Sequence, residues 1–205
     1  LSKLAKSPDP RVREFVARLL RKNMNEGNEF VLLELLRDVH HKVKITAINT
    51  ARITRPQESW PILVDLLGTS AYCHFATAAL VAMGAEVVPY LDKAFYKSGQ
   101  KEIVMLRILQ IYGKIGGPRA MNALWDKIDF PDKTMLAYIM NAFRYNNYQV
   151  SEERKSKIRT LLENTLRITL WNQALLDEIS DSDQNKYLRE AIYDEIRQNH
   201  DRIYL

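Results

Sequence analysis

Apolar residues recur along the chain with the period of an α-helix. Val12, Phe15, Val16, Leu19 and Leu20 stand at i, i+3, i+4, i+7 and i+8, which puts one oily stripe on one side of a helix. Asp9 before Pro10 supplies a helix cap, followed by a first-turn proline whose missing N–H costs nothing there. Similar stripes continue to the end of the chain. Alternation of apolar and polar residues with period two is nowhere sustained, so the pattern predicts an all-α protein with almost no strand. Turns are expected at Arg55-Pro56, Gly84-Ala85, Gly116-Gly117-Pro118 and Asn146-Asn147, where Gly or Asn ends one helix and Pro opens another. The last segment, 186–205, reads as a long terminal helix.

The stripes also repeat. Tyr72, Ala76, Ala79, Leu80, Met83 and Gly84 align with Val104, Ile108, Ile111, Tyr112, Ile115 and Gly116. The first position of this pattern falls at Val12, Val43, Tyr72, Val104, Met135 and Arg167, at offsets of 31, 29, 32, 31 and 32 residues. Each copy reads helix, short turn, helix. Small side chains such as Ala47 and Ala76 sit inside the first helix of a copy, where they let a neighbouring helix approach closely. One pair of helices cannot bury its apolar face alone, whereas a stack of pairs can.

The phrases DPRVREFVARLL (9–20), HKVKITAINTARI (41–53), YCHFATAALVAMGAEVVPYL (72–91) and VMLRILQIYGKIGGPRAMNAL (104–124) resemble HEAT-like repeats of the short bacterial type also seen in phycobilisome lyases. The pattern's Val-Arg pair, present in DPRVR, becomes Val43-Lys44, Tyr72-Cys73 and Val104-Met105 in later copies. The resemblance implies a right-handed α-α superhelix, a solenoid of about six helix pairs. Clear repeats would occupy 9–128 and looser ones 129–180, in one domain spanning 1–205. The chain begins at Leu1 without Met and stops inside an apolar-periodic segment, which reads as a piece of a longer protein.

Composition narrows the function classes. Of 205 residues, 46% are apolar and 27% charged, with seven Gly and seven Pro, the balance of a folded chain with a sizeable core. One cysteine, Cys73, excludes a disulfide framework and any multi-cysteine metal site within the chain. The apolar run from Phe75 to Val88 is broken by Glu86 and is too short to span a bilayer. The net charge of +5 equals that of residues 1–22 alone, while residues 168–205 carry four basic and eight acidic side chains. The pI of about 9.2 therefore describes one basic helix and not a basic surface.

No reaction is written in the sequence. His40-His41 lacks the i, i+4 spacing of a helical metal pair, and Cys73 beside His74 diverges from it on a helix. The acidic run Asp177, Glu178, Asp181, Asp183 lacks the glycine and closing Glu of a calcium loop. The chain carries no P-loop, GxGxxG or GxSxG, so neither a cofactor nor a metal is expected.

Binding is the better expectation. In HEAT-like solenoids the second helix of each pair lines the concave face; here these helices fall near 58–67, 86–96, 118–128 and 152–164. Asp92 and Trp125 lie one position past the central core residue of their helices, in a column with Val64 that is expected to face away from the neighbouring layer. Arg119 and Lys127 flank Trp125, and Arg154, Lys155, Lys157 and Arg159 follow on the next second helix. An exposed tryptophan among these charges would anchor a partner. Tyr138, Tyr145 and Tyr148 form a tyrosine-rich patch around Asn146-Asn147.

The leading reading is a non-catalytic, cytoplasmic scaffold that binds a protein partner or adjacent domains of its parent chain. A nucleic-acid-binding protein of the DNA-alkylation-repair glycosylase type is the alternative, kept open by Trp60, Trp125 and Trp171. A third reading, from the basic first helix, is a cytosolic accessory domain of a bacterial membrane protein resembling nucleotide transporters, with no membrane insertion of this segment. The acidic residues Glu190, Asp194, Glu195 and Asp201 facing the basic N-terminal region of another copy are an argument for self-association.

Overall fold

A computed structural model describes residues 1–25 and 27–203, and among these every regular element is helical. Twelve α-helices follow in order: α1 (Ser2–Ala5), α2 (Pro10–Leu20), α3 (Glu29–Leu36), α4 (His41–Thr54), α5 (Trp60–Leu66), α6 (Cys73–Met83), α7 (Val88–Phe95), α8 (Glu102–Ile115), α9 (Gly117–Trp125), α10 (Lys133–Tyr145), α11 (Glu152–Glu178) and α12 (Lys186–Ile203). Short 3-10 turns precede α5 and α7. The chain divides into two compact units, Leu1–Ala142 and Phe143–Leu205.

The expected punctuation is visible in the backbone. Asp9 caps α2 by accepting the Arg11 amide at 2.8 Å, with Pro10 opening the helix. Pro61, Pro89 and Pro118 sit in the first turns of α5, α7 and α9. Arg55 closes α4 in the left-handed region at φ 55°, and Gly84 and Gly116 end α6 and α8 with φ of 70° and 65°. A residue with a Cβ is strained at such angles, which is why glycine stands at two of these three corners.

In the first unit, packing runs between like elements. Helix α2 packs on α4, α4 on α6 and α6 on α8, while α5 packs on α7 and α7 on α9. Each layer is dry. Val16, Ala17 and Leu20 of α2, Val43, Ala47, Ile48 and Ala51 of α4, and Ala76, Ala79 and Leu80 of α6 are buried. Alanines at these crossings bring backbones close enough for the buried Thr50 hydroxyl on α4 to donate to the Ala17 carbonyl on α2 at 2.7 Å. One layer further on, the Arg107 guanidinium of α8 donates to the Leu67 carbonyl just after α5.

A half-buried ion pair closes the first layer. Arg13 on α2 forks onto Asp38 after α3, with Nε–Oδ2 at 2.6 Å and Nη2–Oδ1 at 3.0 Å, while its Nη1 reaches the Ser7 carbonyl at 2.8 Å. Burial alone would raise the Asp38 carboxyl. The Arg13 hydrogen bonds, the His40 amide and the nearby positive charge outweigh that effect, and the group sits below its ordinary range.

The stretch Cys73–Phe95 is apolar and long enough, by composition, to cross a membrane. It is not one straight helix: α6 ends at Gly84, and α7 starts after a 3-10 turn. Its Ala76, Ala79, Leu80, Val87 and Leu91 are fully buried in the first unit.

The five pattern positions Val12, Val43, Tyr72, Val104 and Met135 fall at or near the starts of α2, α4, α6, α8 and α10. The sixth, Arg167, does not begin a helix. It lies in the middle of α11, which runs unbroken for 27 residues. Helix α11 runs through the repeat start placed at Arg167: Asn164-Thr165-Leu166-Arg167 offers only Asn164 as a residue able to end a helix, with no Gly or Pro to enforce a stop. In the second unit α11 and α12 pack on each other through a thin seam in which Thr169, Leu176, Ile192 and Asn199 are buried. Arg189 ties α12 back to the end of α11 through the Leu176 and Ile179 carbonyls at 3.0 and 2.5 Å.

Two substitutions test this packing. A Cβ on Gly113 of α8 would stand 2.9 Å from the Ala142 Cβ. Gly113→Ala should therefore lower the melting temperature, because overpacking of about 1–3 kcal/mol exceeds the ~1 kcal/mol of helix propensity gained. Asp38→Asn should cost about 1–3 kcal/mol at pH 7 in chemical denaturation. Because the folded-state carboxyl titrates below its unfolded value near 3.9, its contribution holds above about pH 4 and fades below it. Wild type and variant should then converge in acid.

Candidate functional site

Helices α5, α7 and α9 form the second row of the first unit, and the expected binding residues of that unit gather on α7 and α9. A cleft of about 450 Å³ lies between these two helices, lined by Val88, Pro89 and Asp92 from α7 and Arg119, Asn122 and Ala123 from α9, with Asp126 just beyond it. Asp92 and Arg119 thus share one surface feature. Arg119 extends into solvent and approaches Glu86 at 3.9 Å, a loose surface pair.

Trp125 and Lys127 are not on that surface. Trp125, the last residue of α9, is 8% exposed, and Lys127 is 2% exposed. Val64, the first member of the column, is buried as well. The expectation of a solvent-facing tryptophan flanked by basic side chains is therefore corrected. At the end of a nine-residue helix the chain turns inward, and Leu124, Trp125, Lys127 and Ile128 all go into the core.

Lys127 is held in a small chamber. Its ammonium donates to the Asp92 carboxylate and to the Ala123 carbonyl at 3.0 Å. It stands 5.0 Å from the ring centre of Phe95, 4.9 Å from Tyr96 and 5.5 Å from Tyr112. Aromatic faces attract a cation most strongly where water is excluded, so three rings and one carboxylate replace its hydration. One side chain thereby joins α7, α8 and α9. Tyr112 beside it is fully buried, and its hydroxyl has no hydrogen-bond partner among the described residues. Burial, and then the Asp92 charge, push this phenol well above its ordinary range, so it stays protonated. Burial followed by Asp92 and Asp126 raises Tyr96 in the same way.

The remaining expected residues belong to the second unit. Arg154 is half-buried near the start of α11 and donates to the Tyr148 hydroxyl, while Tyr148 stacks on Phe143 at 4.8 Å. Lys155 pairs with Glu152 at 2.6 Å on the exposed face, and Arg159 is exposed. Of the tyrosine-rich patch, Tyr145 stands open to solvent.

The tryptophan that does meet solvent is Trp171 on α11, 71% exposed beside Leu170 at 70%. Apolar residues on more than one side of a single uninterrupted helix were the available signal. It was obscured by the repeat boundary expected at Arg167.

Elsewhere, a second cavity of about 580 Å³ borders α5, α7 and the start of α8, with Asp65, Tyr90, Lys93, Lys97 and Lys101 around it. Cys73 is half-buried and its thiol donates to the Ser70 carbonyl at 3.4 Å. His41 packs its ring against Tyr72 at 5.2 Å. Among the described residues, no three His, Cys, Asp or Glu side chains converge where a metal ion could sit.

The Lys127 chamber is open to a double-mutant test. Asp92→Ala leaves a buried ammonium without its counter-charge and should cost about 2–4 kcal/mol. Lys127→Met fills the same space without a charge and should cost less, and Asp92→Ala added to Lys127→Met should cost little more. Urea unfolding of the four proteins measures that coupling. Compared with known proteins, the chain matches no family model and no curated protein sequence.

Proposed function

We propose that the first unit is a HEAT-like stack of helix pairs acting as a non-catalytic scaffold, with the α7–α9 cleft as its recognition surface for a protein partner. The observation that carries this reading is the succession of contacts between like helices, α2 to α4 to α6 to α8 in one row and α5 to α7 to α9 in the other. Such a row gives each layer a neighbour and leaves the second helices side by side along one face.

The cleft's chemistry favours polypeptide over nucleic acid. Pro89 offers exposed apolar contact above the buried Val88 and Ala123, and Asp92, Asp126 and Arg119 place both charge signs within one patch. The cleft carries no net positive charge to attract a phosphate backbone: Arg119 is matched by Asp126, and Asp92 is already paired with the inward-turned Lys127. A scaffold of this type uses no bound cofactor, and its natural setting is the cytoplasm.

The test is capture of crosslinked partners from an extract of the source cells. An Arg119→Glu, Asp126→Lys pair of substitutions in the cleft should reduce capture of a specific polypeptide about tenfold, while Arg11→Glu on α2 should leave it intact. Equal recovery on all three proteins would remove the cleft from the proposal. Salt-dependent binding of a short DNA duplex at low ionic strength would replace the protein partner with a nucleic acid.

A further inference from the structure

Helix α11 carries an exposed stripe whose spacing is symmetric about its own centre. Leu162, Leu166 and Leu170 follow one another at i, i+4 and i+8, and all three are exposed, Leu166 at 41%. Continuing along the same side, Arg159 and Lys155 extend the stripe toward the N-terminus, and Gln173 and Asp177 extend it toward the C-terminus. The steps read 4, 3, 4, 4, 3, 4, the spacing that keeps residues on one helical face and allows two helices to pack along it.

We propose that a second copy of this chain covers the stripe, with the two α11 helices antiparallel across a two-fold axis at Leu166. In that register Leu166 meets Leu166, and Leu162 meets Leu170 of the second copy. Lys155 meets Asp177, and Arg159 meets Gln173. The apolar centre matches itself and the ends match by charge, as a self-complementary two-fold interface requires. No such matching arises in the parallel arrangement, where Lys155 faces Lys155 and Asp177 faces Asp177.

A reason for a cover lies in the second unit itself. Its hairpin seam buries few side chains among the described residues, and Leu162, Leu166 and Leu170 of the stripe remain in water. From Lys155 to Asp177 the stripe is roughly 33 Å long at 1.5 Å per residue. At the width of one helix face it falls short of the ~800 Å² per partner of a standard interface, the size class of weak, concentration-dependent association. The surface pair of Lys155 with Glu152 is too weak to prevent exchange for Asp177.

Sedimentation velocity over about 1 to 200 μM should show the mass rising from 23.9 kDa toward twice that value. Leu166→Glu should hold the protein monomeric with an unchanged far-UV circular dichroism spectrum. Lys155→Asp should weaken the dimer, and Lys155→Asp with Asp177→Lys should restore it. Cysteine crosslinking fixes the register in a Cys73→Ser background, since Cys73 is the only native cysteine. Leu166→Cys should crosslink to itself on mild oxidation, because only a residue on the axis meets its own copy at disulfide distance. Leu162→Cys should crosslink with Leu170→Cys in a mixture and far less with itself. A monomeric mass throughout the concentration range overturns the proposal, as does a dimer in which Leu166→Cys crosslinks no better than Leu162→Cys alone.

Discussion

Close approach of successive first helices is the constraint on which the first unit rests. Helices α4 and α6 are each packed on two sides, so neither can present a polar face to both neighbours. Alanines at the crossings permit backbone-to-backbone contact, and the Thr50 hydroxyl reaching the Ala17 carbonyl is direct evidence of how near α4 lies to α2. A larger residue at Ala17, Ala47 or Ala76 would push the layers apart, and every later layer would inherit the displacement.

A second device acts at the far end of the same unit. Lys127 shows how a charged residue can serve as packing material: its stem lies among apolar neighbours while its ammonium is enclosed by rings and one carboxylate. The arrangement spans three helices, whereas the Arg13–Asp38 fork joins the first helix pair. Polar contacts of this kind fix how neighbouring helices sit on one another, which dispersion between alanines and leucines alone specifies poorly.

How far the sequence carried this picture differs by element. Helical periodicity, the Asp9 cap and the corners at Arg55, Gly84 and Gly116 are local features, set by residues within one turn of each other, and the fold displays them. The all-helical class follows from the same short-range signals. The burial of Lys127 was not legible, because its carboxylate lies 35 residues away and its aromatic partners come from two other helices. Trp125 misled for a related reason: a column drawn on an ideal helix loses its meaning at the helix end, where the chain changes direction. The repeat start placed at Arg167 came from extending a period past the segment that obeyed it, although neither Gly nor Pro stood there.

The order of contacts in the first unit has a consequence for biosynthesis. From α2 to α8 and from α5 to α9, each helix packs on the next helix but one along the chain, so each contact closes only a short loop when it forms. A nascent polypeptide emerging from the ribosome at about 5–20 residues per second therefore has a docking site ready for each new pair of helices. The chain can assemble in the direction of its synthesis, with little apolar surface waiting long for a partner made later.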